Sequence, residues 1–287
     1  MANLDRSTTV HGARTAVLTA SLRERAARGA FEVPALPAVA LEVLSTTAGA
    51  DADLRRLVAL LHRDPALAGN VLKVANSSLY APREPIASLP QAVSRLGFET
   101  VRDIASAVAV KSSAFAAPAG FRERVEQDWR RAVLTAQFAR EIARSRRRNV
   151  ESAFLSGLLH DVGRVLALRA LAASGDADVP AADVDAVCDA VQTELGLALV
   201  AAWNLPPQIG EAVAFHRDLA AAPAESDIAA TVALARRFAE AWRKGADQDA
   251  TSFVGDPAAT ALNLYPDDVA ALWDRRAQIA AAAEASS

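Results

Sequence analysis

The sequence predicts an all-α protein built as two helical bundles. Three observations carry this. Apolar residues recur at helical spacing along most of the chain, as in Leu54, Leu57, Val58 and Leu61. Glycine and proline number only 13 each in 287 residues, so long stretches run without a helix breaker. β-Branched runs with period-two alternation are absent. Hydrophobic residues make up 52% of the chain, enough for one large core or two modest ones.

Taken in order, residues 1 to 12 show no pattern. Residues 13–28 read as an amphipathic helix with Val17, Leu18 and Leu22 on one side and Gly29 as its stop. Val33-Pro34-Ala35-Leu36-Pro37 is an extended entry, because the residue before a proline is pushed out of the α region. A helix follows through Leu41 and Leu44, and Asp51 or Asp53 caps the next. Asp64-Pro65 starts another, with Asp as the N-cap acceptor and Pro at the first helical position. Asn76-Ser77-Ser78 ends it with side chains that compete for backbone hydrogen bonds. Ser88 and Gln91 have capping-box spacing; that helix ends at Gly97, and a further apolar one runs from Thr100 to Phe115. The small-residue stretch Ala116-Ala117-Pro118-Ala119-Gly120 is the best internal boundary. Beyond it, helices are predicted at 121–145, 150–172, 182–203, 206–218, 226–244 and 267–284. The expected division is an N-terminal extension over 1–30, a first helical half over 31–118, a second over 119–245 and a tail over 246–287.

Charge and composition exclude several function classes. A net charge of −3 offers no basic field for nucleic acid. The basic run from Arg144 to Arg148 reads as a solvated turn. The single Cys188 leaves no internal disulfide and reads as a small core side chain. No apolar run reaches membrane-spanning length, and no signal-peptide pattern opens the chain, so a cytoplasmic location is expected.

The stretch around which the chain is organised is Phe154-Leu155-Ser156-Gly157-Leu158-Leu159-His160-Asp161-Val162-Gly163-Arg164. Apolar residues at helical spacing carry His160 and Asp161 into a buried face, where polar groups are costly unless partnered. Gly157 lets another backbone come close. An imidazole nitrogen and a carboxylate oxygen can share a divalent metal, or the pair can serve as a satisfied polar tie between helices.

A series of short motifs lies on both sides of this stretch. In the first half stand Leu36-Pro37, Asp64-Pro65-Ala66-Leu67, Ala75-Asn76-Ser77, Tyr80, Ser88-Leu89, Ala92-Val93 and Leu96-Gly97. In the second stand Trp129, Phe154 to Gly163, Gly196, Trp203-Asn204-Leu205-Pro206 and His216. Together they resemble the HDOD family, helical regulatory domains related to the HD phosphohydrolases, over residues 30 to 240. The resemblance implies an N-terminal helical bundle joined to an HD-like one, working in bacterial signalling. The tail from 245 resembles nothing named.

The resemblance also allows a ligand count. Active HD phosphohydrolases carry an early His, the His-Asp pair and a late Asp. Here the early His position falls on Arg131, the late Asp position on Arg236 and a further His position on Gln192. A paired His has become His216-Arg217, and His11 and His62 lie in the other half. His160, Asp161 and His216 are the only ligands left, and an arginine repels a cation. Three readings of the site stay open. Arg131 or Arg236 forms an ion pair with Asp161. The three surviving groups hold a metal. Or the arginines and His216 bind an anion such as a nucleotide phosphate.

The leading expectation is a non-catalytic regulatory module with no cofactor and no membrane or nucleic-acid contact. Its partner would be a signalling protein of a two-component or cyclic di-nucleotide system. The alternatives are a metal-dependent phosphohydrolase or phosphodiesterase, and a cyclic di-GMP-type sensor without hydrolysis. Oligomeric state is left open.

Overall fold

Short polar side chains set the helix starts. Asp53 accepts a hydrogen bond from the Arg55 amide, and Asp64 accepts from Ala66 and Leu67 with Pro65 behind it. Asn149, unremarked in the sequence, caps a helix by accepting from the Ser152 amide. The computed structural model describes residues 15–25, 28, 32–47, 53–173, 180–223, 226–245 and 249–286, and no strand occurs among them. A first helix, α1, spans 15–25. Then come α2 (Ala38–Thr47), α3 (Leu54–Leu61), α4 (Pro65–Ala75) and α5 (Leu89–Ser113). The second body adds α6 (Arg122–Ser145), α7 (Val150–Leu159), α8 (Val162–Ala173), α9 (Ala181–Ala202), α10 (Pro207–Phe215) and α11 (Asp227–Lys244). The C-terminal part holds α12 (Pro257–Ala261), α13 (Pro266–Asp274) and α14 (Arg276–Ser286).

Two apolar cores result. One gathers residues of α2 to α5, among them Val43, Leu57, Leu61, Leu67, Val71 and Ile104. The other holds Leu22 and runs from Ala107 to Ala283. The two meet along α5, which carries Ala105 in the first and Ala107 in the second. Chain segments outside the bundles are tied down by polar groups. Arg23 of α1 bonds Glu194 and the Ala190 carbonyl on α9, and the Trp203 indole donates to the Pro34 carbonyl at 2.6 Å. Asn76 exchanges two hydrogen bonds with the Ile86 backbone, closing the loop between α4 and α5.

Several sequence expectations are corrected. Ser88 stands at the N-cap of α5, but its side chain makes no cap hydrogen bond; Pro90 already removes one of the unpaired amides of the first turn. The segments on either side of Gly97 join as one kinked element, Gly97 taking φ 80° where a side chain would be strained. The span 150–172 is two helices, broken at His160-Asp161. The span 267–284 is likewise broken at Arg275. The run Arg144–Arg148 is not a solvated turn throughout. Arg146 is largely buried, pairing with Asp227 at 2.7 Å and donating to the Leu262 carbonyl. His11 and the first predicted residues lie outside the described residues.

A buried charge network ties the two bodies to the C-terminal helices. Arg140 of α6 bonds Asp103 of α5 at 2.6 Å, and Glu141 pairs with Arg144 and with Arg275, 2.7 Å away. Burial pushes the Asp103 carboxyl up to about 6, against the pull of Arg140. An unfolded Asp releases its proton near pH 4, so between about pH 4 and 6 the folded chain holds more protons than the unfolded one. This group's contribution to stability therefore falls as pH rises through that window. Urea unfolding across pH 4–7 is expected to show Asp103→Asn losing this component, about 2–3 kcal/mol. Parallel wild-type and variant curves would refute the assignment.

Candidate functional site

The site forms where α7 ends and α8 begins. In a continuous helix, neighbouring residues point about 100° apart. The break at His160-Asp161 turns both side chains toward one centre, and both are buried. Two glycines let the surrounding helices close in. A Cβ on Gly157 would stand 2.5 Å from the Ala136 Cα of α6, and one on Gly163 would stand 1.7 Å from the Gln192 carbonyl oxygen of α9. The third member, His216, comes from the C-terminal end of α10 and is also buried.

The two imidazoles are held alike. His160 Nδ1–H donates to the Gly157 carbonyl at 2.7 Å, and His216 Nδ1–H donates to the Ala212 carbonyl at 2.9 Å. Each ring therefore turns its Nε2 inward. His216 Nε2 lies 3.2 Å from Asp161 Oδ1. His160 Nε2 lies 3.3 Å from Asp161 Oδ2, without an acceptable hydrogen-bond geometry. Burial lowers the His216 pKa, against the pull of Asp161. For Asp161, burial alone would raise the pKa. His160, His216 and Arg131 outweigh it and hold the carboxyl well below the usual carboxylate range.

Two guanidiniums complete the centre. Arg131 Nη2 lies 3.2 Å from Asp161 Oδ2 and 2.6 Å from Asp128 Oδ1. Arg217 Nη2 lies 3.2 Å from Asp161 Oδ1, and its Nη1 reaches Asp189 at 3.3 Å. Asp189 also takes Arg164 at 2.6 Å, and Arg164 continues to Asp185, which pairs with Arg124. The result is an alternating chain, Asp128–Arg131–Asp161–Arg217–Asp189–Arg164–Asp185–Arg124, with equal numbers of each charge. It joins α6, the α7–α8 break, α8, α9 and the end of α10.

The sequence-derived candidates divide accordingly. His160, Asp161, His216, Arg131 and Arg217 meet at one centre. Arg236 does not reach it; it pairs with Glu240 one turn along α11. Gln192 sits on α9 and contacts Asp189 at 3.4 Å rather than Asp161. Arg124, Asp128, Arg164, Asp185 and Asp189 are not among the sequence-derived candidates. Their sequence signal is weak but present: Asp128 and Arg131, like Asp161 and Arg164, are three apart, and Asp185 and Asp189 are four apart on one helical face.

A divalent metal does not fit this arrangement. Among the described residues, the His/Cys/Asp/Glu group with metal-ligand spacing is His160, Asp161 and His216, whose donor atoms lie within 4.8 Å of one another. Three donors would by number suffice for an open site that keeps a fourth position for water, so the obstacle is charge rather than ligand count. Both oxygens of the single carboxylate already face guanidinium nitrogens. A metal added here would be a third cation on one carboxylate.

The helical fold and the buried His160-Asp161-His216 group define an HD-related domain. The HDOD domain profile matches residues 33–219, and the chain belongs to that family. An uncharacterised protein of Treponema pallidum (strain Nichols) is 26% identical over 234 residues, 77% of this chain. The chain spans less than half (44%) of that relative's length. Among solved structures, a protein of Shewanella amazonensis SB2B provisionally named a metal-dependent phosphohydrolase superposes with a TM-score of 0.70. It shares 21% identity over 94% of this chain and 99% of its own. A protein of Marinobacter aquaeolei VT8 provisionally named a signal transduction protein gives a TM-score of 0.65 at 24% identity, over 88% of this chain and 60% of its own. At these identities the likeness is one of fold. No helix among the described residues is long and apolar enough to cross a membrane.

Proposed function

We propose that the chain is a non-catalytic regulatory module of bacterial cytoplasmic signalling that acts by binding a protein partner. One observation carries the reading: Arg131 and Arg217 each stand 3.2 Å from an oxygen of Asp161, where hydrolase chemistry would need a metal. Without a metal to lower the pKa of a bound water, no nucleophile for phosphoester hydrolysis is made at this centre. A nucleotide-sensor reading is less favoured, because Arg124, Arg131, Arg164 and Arg217 are each already paired to an aspartate. Membership of the HDOD family supports a signalling role.

The test is the metal content and phosphodiesterase activity of protein purified without chelators or a metal-affinity tag. Far less than one equivalent of iron, manganese or zinc, and no hydrolysis, is the expected result. Near-stoichiometric metal with hydrolysis lost in His216→Ala would replace this reading with the metal-dependent hydrolase.

A further inference from the structure

We propose that the Arg131 guanidinium stands in for a divalent cation, and that removing it uncovers a metal centre made of His160, Asp161 and His216 with Asp128 beside it. The inference rests on the closed-site reading above. Its foundation is a single atom. Arg131 Nη2 touches two carboxylates at once, Asp128 at 2.6 Å and Asp161 at 3.2 Å. Both aspartates are buried, at 7% and 3% exposure, so a cation between them offsets a large desolvation cost.

The rest of the centre has the features of a ligand set. Each imidazole is anchored by a backbone carbonyl on Nδ1, the kind of outer hydrogen bond that orients a ligating histidine. His160 Nε2 is buried and lacks a hydrogen-bond partner. Nothing in a merely structural polar pair requires that arrangement. Two imidazoles and a carboxylate are a set that divalent zinc, manganese, iron and cobalt accept.

The guanidinium both fills the position and excludes a metal. It is a permanent cation with donors only, so it cannot ligate and it repels a second positive charge. Once Arg131 is gone, Asp128 and Asp161 lose their shared compensation and the centre becomes net negative. Arg217 stays on Asp161 Oδ1 and on the exposed Asp189, so the oxygen that the loss of Arg131 frees for a metal is Oδ2.

The experiment uses the full chain as wild type, Arg131→Ala and Arg131→Gln, all prepared metal-free and titrated with Co2+. Visible absorption and melting temperature are recorded. Wild type is expected to show neither cobalt bands nor a shift. Both variants are expected to melt lower without metal, bind one equivalent of Co2+ about 100-fold or more tighter than wild type, and regain stability on binding. Adding His216→Ala to Arg131→Gln is expected to abolish the bands. A variant that folds only with Co2+ also supports the proposal. A folded Arg131→Gln that ignores Co2+, binding that survives His216→Ala, or failure of both variants to fold with or without Co2+ would each overturn it and leave the closed-site reading standing. Tight Co2+ binding by wild type would overturn both.

Discussion

Replacing Asp161 with Ala is expected to destabilise the fold by about 3–5 kcal/mol, the cost of leaving buried charges without their partner. Asp161 is the shared ion-pair partner of Arg131 and Arg217 and faces both imidazoles. Without it, two guanidiniums converge on two histidines whose rings lie 5.0 Å apart, with no negative charge between them. Two elements, α6 and the end of α10, would lose their common anchor at the α7–α8 break. Asp189 is the contrast. It belongs to the same charge chain but is 53% exposed, so its replacement by Ala is expected to change stability by no more than about 1 kcal/mol. Urea denaturation of the two variants gives the comparison. Equal, small losses would mean that the centre is a bystander to folding. A large loss confined to Asp161 would mark it as the tie that holds the second bundle together.

Trp273→Ala is expected to cost a similar amount, about 3–5 kcal/mol, by leaving a cavity in a packed core. Trp273 lies beyond the stretch that the family profile covers, yet it is only 2% exposed. Its ring meets Phe253 at 5.1 Å and Phe238 at 5.5 Å, and stacks near Phe138 at 6.4 Å. Phe138 is on α6 and Phe238 on α11, so the C-terminal helices complete the same core that presents the site. Arg275, the next residue but one, reaches back to buried Glu141 on α6. Thermal unfolding followed by tryptophan fluorescence would detect the loss. If the variant melts within a degree or two of wild type, residues 249–286 are an appendage rather than part of the fold.

The sequence made much of this protein readable, for reasons that are local. Helix existence follows from apolar periodicity, and helix starts follow from side chains two or three residues away, as at Asp53 and Asp64. His160 and Asp161 stood out because a polar pair inside an apolar run is costly and therefore needs a reason. The break between them was not readable. Leu155, Leu158, Leu159 and Val162 keep helical spacing straight through it, and periodicity reports which face is buried without reporting a change of direction.

The partners of Asp161 show the limit most clearly. Arg131, Arg217 and Arg236 all stand among the sequence-derived candidates, although only Arg131 and Arg236 read as partners of Asp161 there, and all three are long, charged side chains. Tertiary packing brought the first two to the carboxylate and left Arg236 on Glu240. The pairings that close the site join residues 30 and 56 positions apart, and they depend on how α6 and α10 cross the α7–α8 break. The sequence by itself determined the helices and the buried His-Asp pair, because these rest on spacings of two to four residues, and the family, because its short motifs keep their order along the chain. Only the tertiary structure decided which cations meet Asp161, because a guanidinium on a flexible stem can reach many places, and helix packing alone selects among them.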